Sequence, residues 1–253
     1  MMKIKTIRNI LIPVLLLAAM NLHAADYKAS LFGVKSDGST LNTRSIQKAI
    51  DFISENGGGR LVFYVGRYLT GTIQLRSNVT VQLEEGAILA GVSTIYDYRG
   101  LDGHNTLIAA DSVINSGITG KGVIEGGGKA VLQSILEQKA KGHLSRTAEE
   151  AAPGLIRMTR CENITLSGIN LRDPANHVLN LLNCKGVQIQ NVTIQGNAAP
   201  ATVGIEIRES EAVELNSLFF DTSGKEVVLS GNNRNITAKN CVSKTGKKIA
   251  VKP

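Results

Sequence analysis

The sequence predicts an all-β fold, a single-stranded right-handed parallel β-helix with an N-terminal capping helix. Two observations favour it. First, four segments share one template, a polar turn followed by two short alternating strands around a small or polar corner. The same inward position in these segments is occupied by Ile164, Val187, Val213 and Ile236, at spacings of 23, 26 and 23 residues. Second, the corner between the two strands is occupied in each copy by a residue that tolerates a left-handed backbone, namely Gly168, Asn191, Ser217 and Asn240.

Short strands with inward aliphatic residues and a period in the low twenties favour a chain that winds into stacked coils. Each coil pairs with the next and adds to a continuous aliphatic ladder. Leucine-rich repeats would need a Leu/Asn consensus, and helical repeats would need a period of 3.6, neither of which the segments show. Weaker copies of the template occur at 77–86 and 116–125.

The first 25 residues have the pattern of a secretory signal peptide. Lys3, Lys5 and Arg8 precede the apolar run ILIPVLLLAAM, and small residues follow it up to a predicted cleavage site near Ala25. The run is too short to cross a bilayer, so a membrane anchor is disfavoured and a secreted or periplasmic protein is expected. Removing three positive charges and no negative ones lowers the net charge from +7 to +4, which suits an anionic polysaccharide better than nucleic acid in an exported protein.

Residues 26–253 are therefore predicted to form one β-helix domain, with two departures from the repeat. Ile46, Ala49, Ile50 and Ile53 follow helical spacing, with Asn42 or Thr43 as the N-cap and Gly57 as the stop. This helix is expected to seal the N-terminal end of the core. Residues 129–152 interrupt the repeat and are predicted to form a short helix and a polar loop.

The three cysteines are predicted to be structural. Cys161 and Cys184 occupy one column on adjacent coils, so either a disulfide or a stacked pair of buried thiols fits them. Cys241 falls in the inward column of Ile169, Val192 and Leu218. Their spacing is not that of metal ligands, and no metal, cofactor or nucleotide site is predicted.

Several stretches resemble glycoside hydrolase family 28, the polygalacturonase-like enzymes that act on pectin in plant cell walls. They are FGVKSDGSTLNTRSIQKAID, GGGRLVFYVGRYLTGTIQLRSNVTVQLEEGAIL, ITGKGVIEGGG and PGLIRMTRCENITLSGINLRDP. The resemblance covers 26–253 and implies a pectate-lyase-like solenoid. It also implies an inverting hydrolysis of galacturonan or rhamnogalacturonan, in which one carboxylic acid protonates the leaving oxygen and a carboxylate activates water.

The motifs that carry this chemistry in the family are not matched. Its Asn-Thr-Asp-Gly motif aligns with Ala-Thr-Val-Gly ending at Gly204, and its Gly-Asp-Asp motif with Ser-Gly-Lys ending at Lys225. Its histidine aligns with Gly246 or Lys247, and the sequence ends at Pro253, before an Arg-x-Lys pair would be reached. No catalytic residue is assigned, because the family positions hold Val203, Gly224, Lys225 and Gly246.

The same outward face is predicted to carry polar and basic residues that bind an acidic glycan. Stacking the coils puts His177, Val203, Lys225 and Lys247 in one column, and the predicted binding residues are Arg157, His177, Asn180, Glu206, Arg208, Lys225 and Lys247. A solvated charged face of a solenoid is the competing interpretation. A relocated acid/base pair of Glu206 and Glu226, or Lys225 acting as the base of a lyase, is a further alternative.

Three functional hypotheses follow from the sequence. The first is an exported, pectin-directed pseudoenzyme that at most binds acidic glycan. The second is an active hydrolase or lyase on pectic polysaccharide with relocated catalytic groups. The third is a truncated, non-functional family member that lacks C-terminal coils. An acidic polysaccharide is the expected partner, nucleic acid and membrane embedding are not expected, and the oligomeric state and the exact glycan stay open.

Overall fold

The structure is a computed structural model that describes residues 25–101 and 103–251. The predicted signal peptide lies outside these residues except for Ala25. The described chain winds through three sheets in a fixed order, sheet I, then sheet II, then sheet III, and each turn of the winding is one coil. The predicted parallel β-helix is confirmed.

Sheets I and II each contain eight strands, all paired in parallel. Sheet I is formed by Asp26–Lys28, Gly59–Phe63, Val79–Leu83, Ile114–Gly120, Glu162–Ser167, Lys185–Gln190, Glu211–Asn216 and Arg234–Lys239. Sheet II is formed by Asp37–Leu41, Gly66–Thr70, Ala87–Gly91, Val123–Glu125, Asn170–Arg172, Thr193–Gly196, Phe219–Thr222 and Val242–Ser243.

Sheet III is the face on which the sequence places the candidate site. Its parallel strands are Ile73–Gln74, His104–Asp111, Gly154–Thr159, Leu179–Leu182, Ile205–Arg208 and Val227–Ser230. A further strand, Arg99–Leu101, pairs antiparallel with His104–Asp111 at the edge of this sheet.

Aliphatic side chains from successive coils stack inside the solenoid, as the alternation predicts. Ile164, Val187, Val213 and Ile236 pair in register and are 0%, 0%, 0% and 6% exposed. Burial of such a ladder removes apolar surface from water in every coil and ties each coil to the next. The continuous core therefore holds the strands of sheet III in a fixed register.

The corner between sheets I and II has the predicted left-handed backbone in each of the four repeats. The φ angles are +76° at Gly168, +54° at Asn191, +57° at Ser217 and +55° at Asn240. Glycine and asparagine adopt this conformation at little cost, whereas serine does so with more strain. The next inward position is filled as expected, by Ile169, Val192, Leu218 and Cys241, all buried.

Helix α1, Thr43–Glu55, covers the N-terminal end of the core. It packs with the predicted apolar face, whose residues Ile46, Ala49, Ile50 and Ile53 are all 0% exposed. Asn42 occupies the N-cap, but its side chain does not cap the helix. Its Oδ1 accepts from the Lys35 N–H at 2.8 Å, and its Nδ2 donates to the Lys35 carbonyl at 2.9 Å. A short 3₁₀-helix, Ala29–Phe32, packs beside α1.

The predicted insertion contains two helices, α2 at Gly128–Ala140 and α3 at Ala148–Ala151. Helix α2 buries Val131 and Ile135, and α3 begins with a capping box between Thr147 and Glu150. A second 3₁₀-helix, Ile95–Asp97, lies near α2, where the Tyr96 hydroxyl donates to Gln138 Oε1 at 3.0 Å. The insertion therefore forms one wall of the sheet III face.

All three cysteines are buried free thiols, and Cys161 and Cys184 occupy neighbouring positions on adjacent coils. The contact with Cys161, together with burial, raises the pKa of the Cys184 thiol well above its usual range. Of the two alternatives left open by the sequence, the structure contains the stacked pair of thiols. No helix in the described ranges is long and apolar enough to cross a membrane.

Candidate functional site

One outward column of side chains runs along sheet III through six coils. The register pairs Gln74 with Ala109, Ala109 with Arg157, Arg157 with Asn180, Asn180 with Glu206, and Glu206 with Val228. Three of the predicted binding residues, Arg157, Asn180 and Glu206, are therefore direct neighbours on consecutive strands. Arg208 lies two positions further along the Glu206 strand, beside Leu182 and Ser230.

A central groove with a volume of about 330 Å³ is lined by the four predicted binding residues Arg157, Asn180, Glu206 and Arg208. Asn180 Nδ2 donates to Glu206 Oε2 at 2.5 Å, which fixes the carboxylate against the floor. The insertion forms the wall, because Asn176 Nδ2 donates to the carbonyls of Glu149 at 3.1 Å and Ala152 at 3.3 Å. The complete lining is His104, Glu149, Glu150, Arg157, Asn176, His177, Asn180, Glu206 and Arg208.

Four lining residues, His104, Glu149, Glu150 and Asn176, are absent from the sequence-based prediction. Glu149 and Glu150 add two carboxylates to this face besides Glu206 and Glu226, the two that the prediction considered. The Thr147-x-x-Glu150 spacing is a recognisable capping box, so the sequence contained a signal for α3. It contained no signal for where α3 packs, because that segment lies outside the repeat.

The groove brings both signs of charge together. The backbone N–H and hydroxyl of Thr147 hold the pKa of the Glu150 carboxyl below its usual value, so this side chain is ionised at neutral pH. Glu149 and Glu206 are the other acidic lining residues, while Arg157 and Arg208 supply permanent positive charge. A polyanion would therefore meet guanidinium groups along the strands and carboxylates along the α3 wall.

The second predicted column forms only in part. Backbone hydrogen bonds connect successive coils at this corner, from the Val178 N–H to Val203 O at 3.1 Å and from the Gly204 N–H to Lys225 O at 3.0 Å. Residues 244–251 add no further strand to sheet III; the chain folds back, and Lys248 forms an antiparallel bridge with Val242. Lys247 therefore lies between a turn at residues 244–245 and the Lys248 bridge, with its Nζ 3.9 Å from Glu226 Oε2.

Glu206 and Glu226 line different cavities. Glu226 faces a C-terminal cavity of about 460 Å³ together with Lys225, Lys247 and Lys248, whereas Glu206 lines the central groove. The two carboxylates do not converge on one reaction centre. The relocated acid/base pair that the sequence left open is therefore not supported by their placement.

The corner where the family would carry its aspartates is closed by backbone. A Cβ atom at Gly224 would lie 2.6 Å from the carbonyl carbon and oxygen of Ala201 and 2.7 Å from Thr202 O. Ser223 Oγ lies 2.6 Å from Ala199 O and accepts from the Thr202 N–H at 3.1 Å. Any side chain at position 224 would have to displace this packed loop.

The described residues contain no group of three or more His, Cys, Asp and Glu side chains arranged to hold a metal ion.

In a comparison with protein families, residues 63–251 match the model described as glycosyl hydrolases family 28. An exo-poly-alpha-D-galacturonosidase from Dickeya chrysanthemi is 30% identical over 248 residues, covering 85% of this chain and 40% of the relative. An endo-polygalacturonase from Pectobacterium parmentieri is 27% identical, covering 72% of this chain and 49% of the relative. The chain thus spans between two fifths and one half of these two relatives.

Solved structures show the same architecture. A crystal structure of a candidate glycosyl hydrolase from Parabacteroides merdae is 44% identical with a TM-score of 0.84, and the match covers 88% of this chain and 99% of that chain. The family 28 exopolygalacturonase of Yersinia enterocolitica is 23% identical with a TM-score of 0.75, covering 85% of this chain and 49% of that chain. The second likeness shows the fold alone.

Proposed function

The chain belongs to glycosyl hydrolases family 28, and from this membership we propose that it binds an acidic polysaccharide of the pectic class along sheet III without the family's inverting hydrolysis. The family 28 relatives of known name act on galacturonans, which carry one carboxylate on each uronate unit. A secreted or periplasmic location, proposed from the signal-peptide pattern, would bring the protein into contact with such polymers.

The absence of hydrolysis rests on one observation, the corner formed by Val203, Gly224 and Lys225. Inverting hydrolysis requires a carboxylic acid at the leaving oxygen and a carboxylate that activates water on the opposite side. None of these three residues supplies a carboxyl group, and the loop packing leaves no room for a side chain at position 224. The proton transfers of the family mechanism therefore have no donor or acceptor here.

Binding is supported by the spacing and charge of the sheet III face. Neighbouring strands are about 4.8 Å apart, so the six-strand column provides an extended, regularly spaced surface for a linear polymer. Arg157 and Arg208 can each form paired hydrogen bonds with a uronate carboxylate, and Lys225 adds a charge toward the C-terminal end. The carboxylates of Glu149 and Glu150 on α3 would repel a second polyanion, so the groove favours one bound chain.

Calorimetric titration with polygalacturonate tests this proposal. The double variant Arg157→Gln/Arg208→Gln should weaken binding by about 10- to 100-fold, because a lost charge-assisted hydrogen bond costs roughly 1.5–3 kcal/mol. The matched control, Lys48→Gln/Lys121→Gln, removes the same net charge from exposed sites outside the groove. Equal affinity of the groove variant and the wild-type protein would rule out sheet III as the binding face.

A second candidate function is glycan cleavage by relocated groups in the central groove. It is favoured by one feature, the presence of Glu149 and Glu150 on the wall of the groove that has Glu206 on its floor. Hydrolysis would release new reducing ends, and a lyase, with Lys225 or another base, would release unsaturated ends. Either product from the wild-type protein, lost in Glu206→Gln or Lys225→Gln, would replace the binding-only proposal with this one.

A further inference from the structure

A larger cavity lies on the same face at the N-terminal end of the solenoid. Its volume is about 660 Å³, within the range of pockets that hold small ligands. It lies where the start of α1 meets the first strand of sheet III and the 3₁₀-helix Ile95–Asp97. The residues that matter below are Arg44, Gln47, Gln74, Arg76, Tyr96 and Arg99, all of which line it.

Hydrogen bonds hold the floor of this cavity in one arrangement. The Gln74 N–H donates to Gln47 Oε1 at 2.7 Å, and Gln47 Nε2 donates back to the Gln74 carbonyl at 3.1 Å. Arg76 is fixed by an ion pair to Asp51 at 2.7 Å and by a bond from its Nη1 to Gln74 Oε1 at 3.3 Å. A ligand would therefore meet a floor that needs no rearrangement.

Two further guanidinium groups line the cavity without an ion pair to any described residue. These are Arg44 on α1 and Arg99 on the strand beside His104–Asp111, and both are exposed. The lining contains one carboxylate, that of Asp97, and three guanidinium groups, those of Arg44, Arg76 and Arg99. The excess of guanidinium groups favours an anion, and their planar, forked donors match a carboxylate.

An aromatic ring completes the cavity. Tyr96 is 61% exposed, and its hydroxyl donates to Gln138 Oε1 on α2, which restrains the ring from one end. Leu41, 49% exposed, lies on the same lining. A sugar ring presents C–H groups on its faces and polar groups at its edge, so this combination suits a carboxylated sugar better than an inorganic anion.

The cavity and the central groove lie on one continuous column. Gln74 pairs with Ala109, and Ala109 pairs with Arg157, so two strand spacings, about 10 Å, separate the cavity floor from the groove. A single extended oligosaccharide can therefore reach both places. Occupying both with one chain raises the overall affinity, because the second contact becomes intramolecular.

We propose that this N-terminal cavity is a second uronide subsite, in which Arg44 and Arg99 bind a sugar carboxylate and Tyr96 stacks against the sugar ring. The proposal rests on the proposed binding of acidic polysaccharide along sheet III and extends it to residues outside the central groove. It predicts that affinity rises with oligomer length until both places are filled.

The test is calorimetric titration of the full chain with galacturonate oligomers of defined length and with polygalacturonate. Arg44→Gln/Arg99→Gln should weaken polygalacturonate binding at least tenfold and should flatten the rise of affinity with length. Lys48→Gln/Lys121→Gln is the control, since Lys48 lies one turn after Arg44 on the same helix and Lys121 lies at the corner between sheets I and II. Tyr96→Ala should also weaken binding, and Tyr96→Phe should retain it.

Methyl-esterified polygalacturonate separates carboxylate recognition from general sugar binding, and it should bind weakly to all variants. An unchanged affinity of Arg44→Gln/Arg99→Gln for polygalacturonate would overturn the second subsite and leave the binding face of sheet III in place. An equal loss in the lysine control would also overturn it, because the effect would then be one of net charge. Failure of the wild-type protein to bind any acidic oligomer would overturn both proposals.

Discussion

Replacing Gly224 with alanine probes the corner that separates this chain from the hydrolytic chemistry of its family. The added methyl group would lie 2.6 Å from the carbonyl atoms of Ala201 and 2.7 Å from Thr202 O, closer than real Cβ atoms come to other heavy atoms. The Gly224 N–H donates to the same Thr202 carbonyl at 3.0 Å, so the loops cannot separate without losing that bond.

The expected cost is about 3 kcal/mol, at the upper end for overpacking, because the obstructing atoms belong to the backbone rather than to a flexible side chain. For a domain of this size the melting temperature should fall by roughly 6–12 °C. Thermal and urea unfolding followed by circular dichroism measure the change. Lys225→Ala, at the exposed neighbouring position, is the control and should stay within about 0.5 kcal/mol of the wild-type protein.

A Gly224→Ala protein as stable as the wild-type protein would refute the steric reasoning. Position 224 could then accept a side chain, and the packing of the loops would not explain why this chain lacks an aspartate there. The structure instead predicts that Gly224→Asp is at least as destabilised as Gly224→Ala, because its larger side chain begins with the same Cβ atom.

Two further predictions concern the solenoid. Burial raises the pKa of Glu125, but its two arginine partners, Arg67 and Arg172, each at 2.5 Å, outweigh that effect and hold it below the usual value. Glu125→Gln should therefore lower the free energy of unfolding by about 1–2 kcal/mol at pH 7. The difference from the wild-type protein should vanish as the pH falls through the lowered pKa of Glu125. A pH-independent difference would contradict this. Ser217→Gly should raise the free energy of unfolding by about 0.5–1 kcal/mol in urea titrations, because φ at this corner is +57°, and a loss would show that the corner is unstrained.

The repeating part of the fold could be predicted because one physical constraint recurs in every coil. The column of Gly168, Asn191, Ser217 and Asn240 marks a left-handed corner, and the inward aliphatic column fixes the register between coils. Helix α1 was predictable for the same reason, since its apolar residues follow the helical period. The N-cap position, Asn42, was predicted correctly, but its side chain does not form the capping hydrogen bond because it bonds to the Lys35 backbone instead.

The candidate site could be predicted only where it belongs to the repeat. Arg157, Asn180 and Glu206 lie in the column that the spacing implies. Glu149 and Glu150 come from the insertion, whose position over sheet III depends on packing and on hydrogen bonds such as those from Asn176. The alignment of coils also predicted that Lys247 lies on a further coil of sheet III. This was wrong, because the chain folds back before another sheet III strand begins.

The central claim, binding of acidic glycan without hydrolysis, is tested most directly by one titration. Hexagalacturonate is titrated into the wild-type protein by calorimetry at low and high salt, and the oligomer recovered from the cell is sized after prolonged incubation. The account predicts a saturable isotherm that weakens with salt, with the recovered oligomer still six units long. Shorter or unsaturated products, or no heat of binding at low salt, would contradict it.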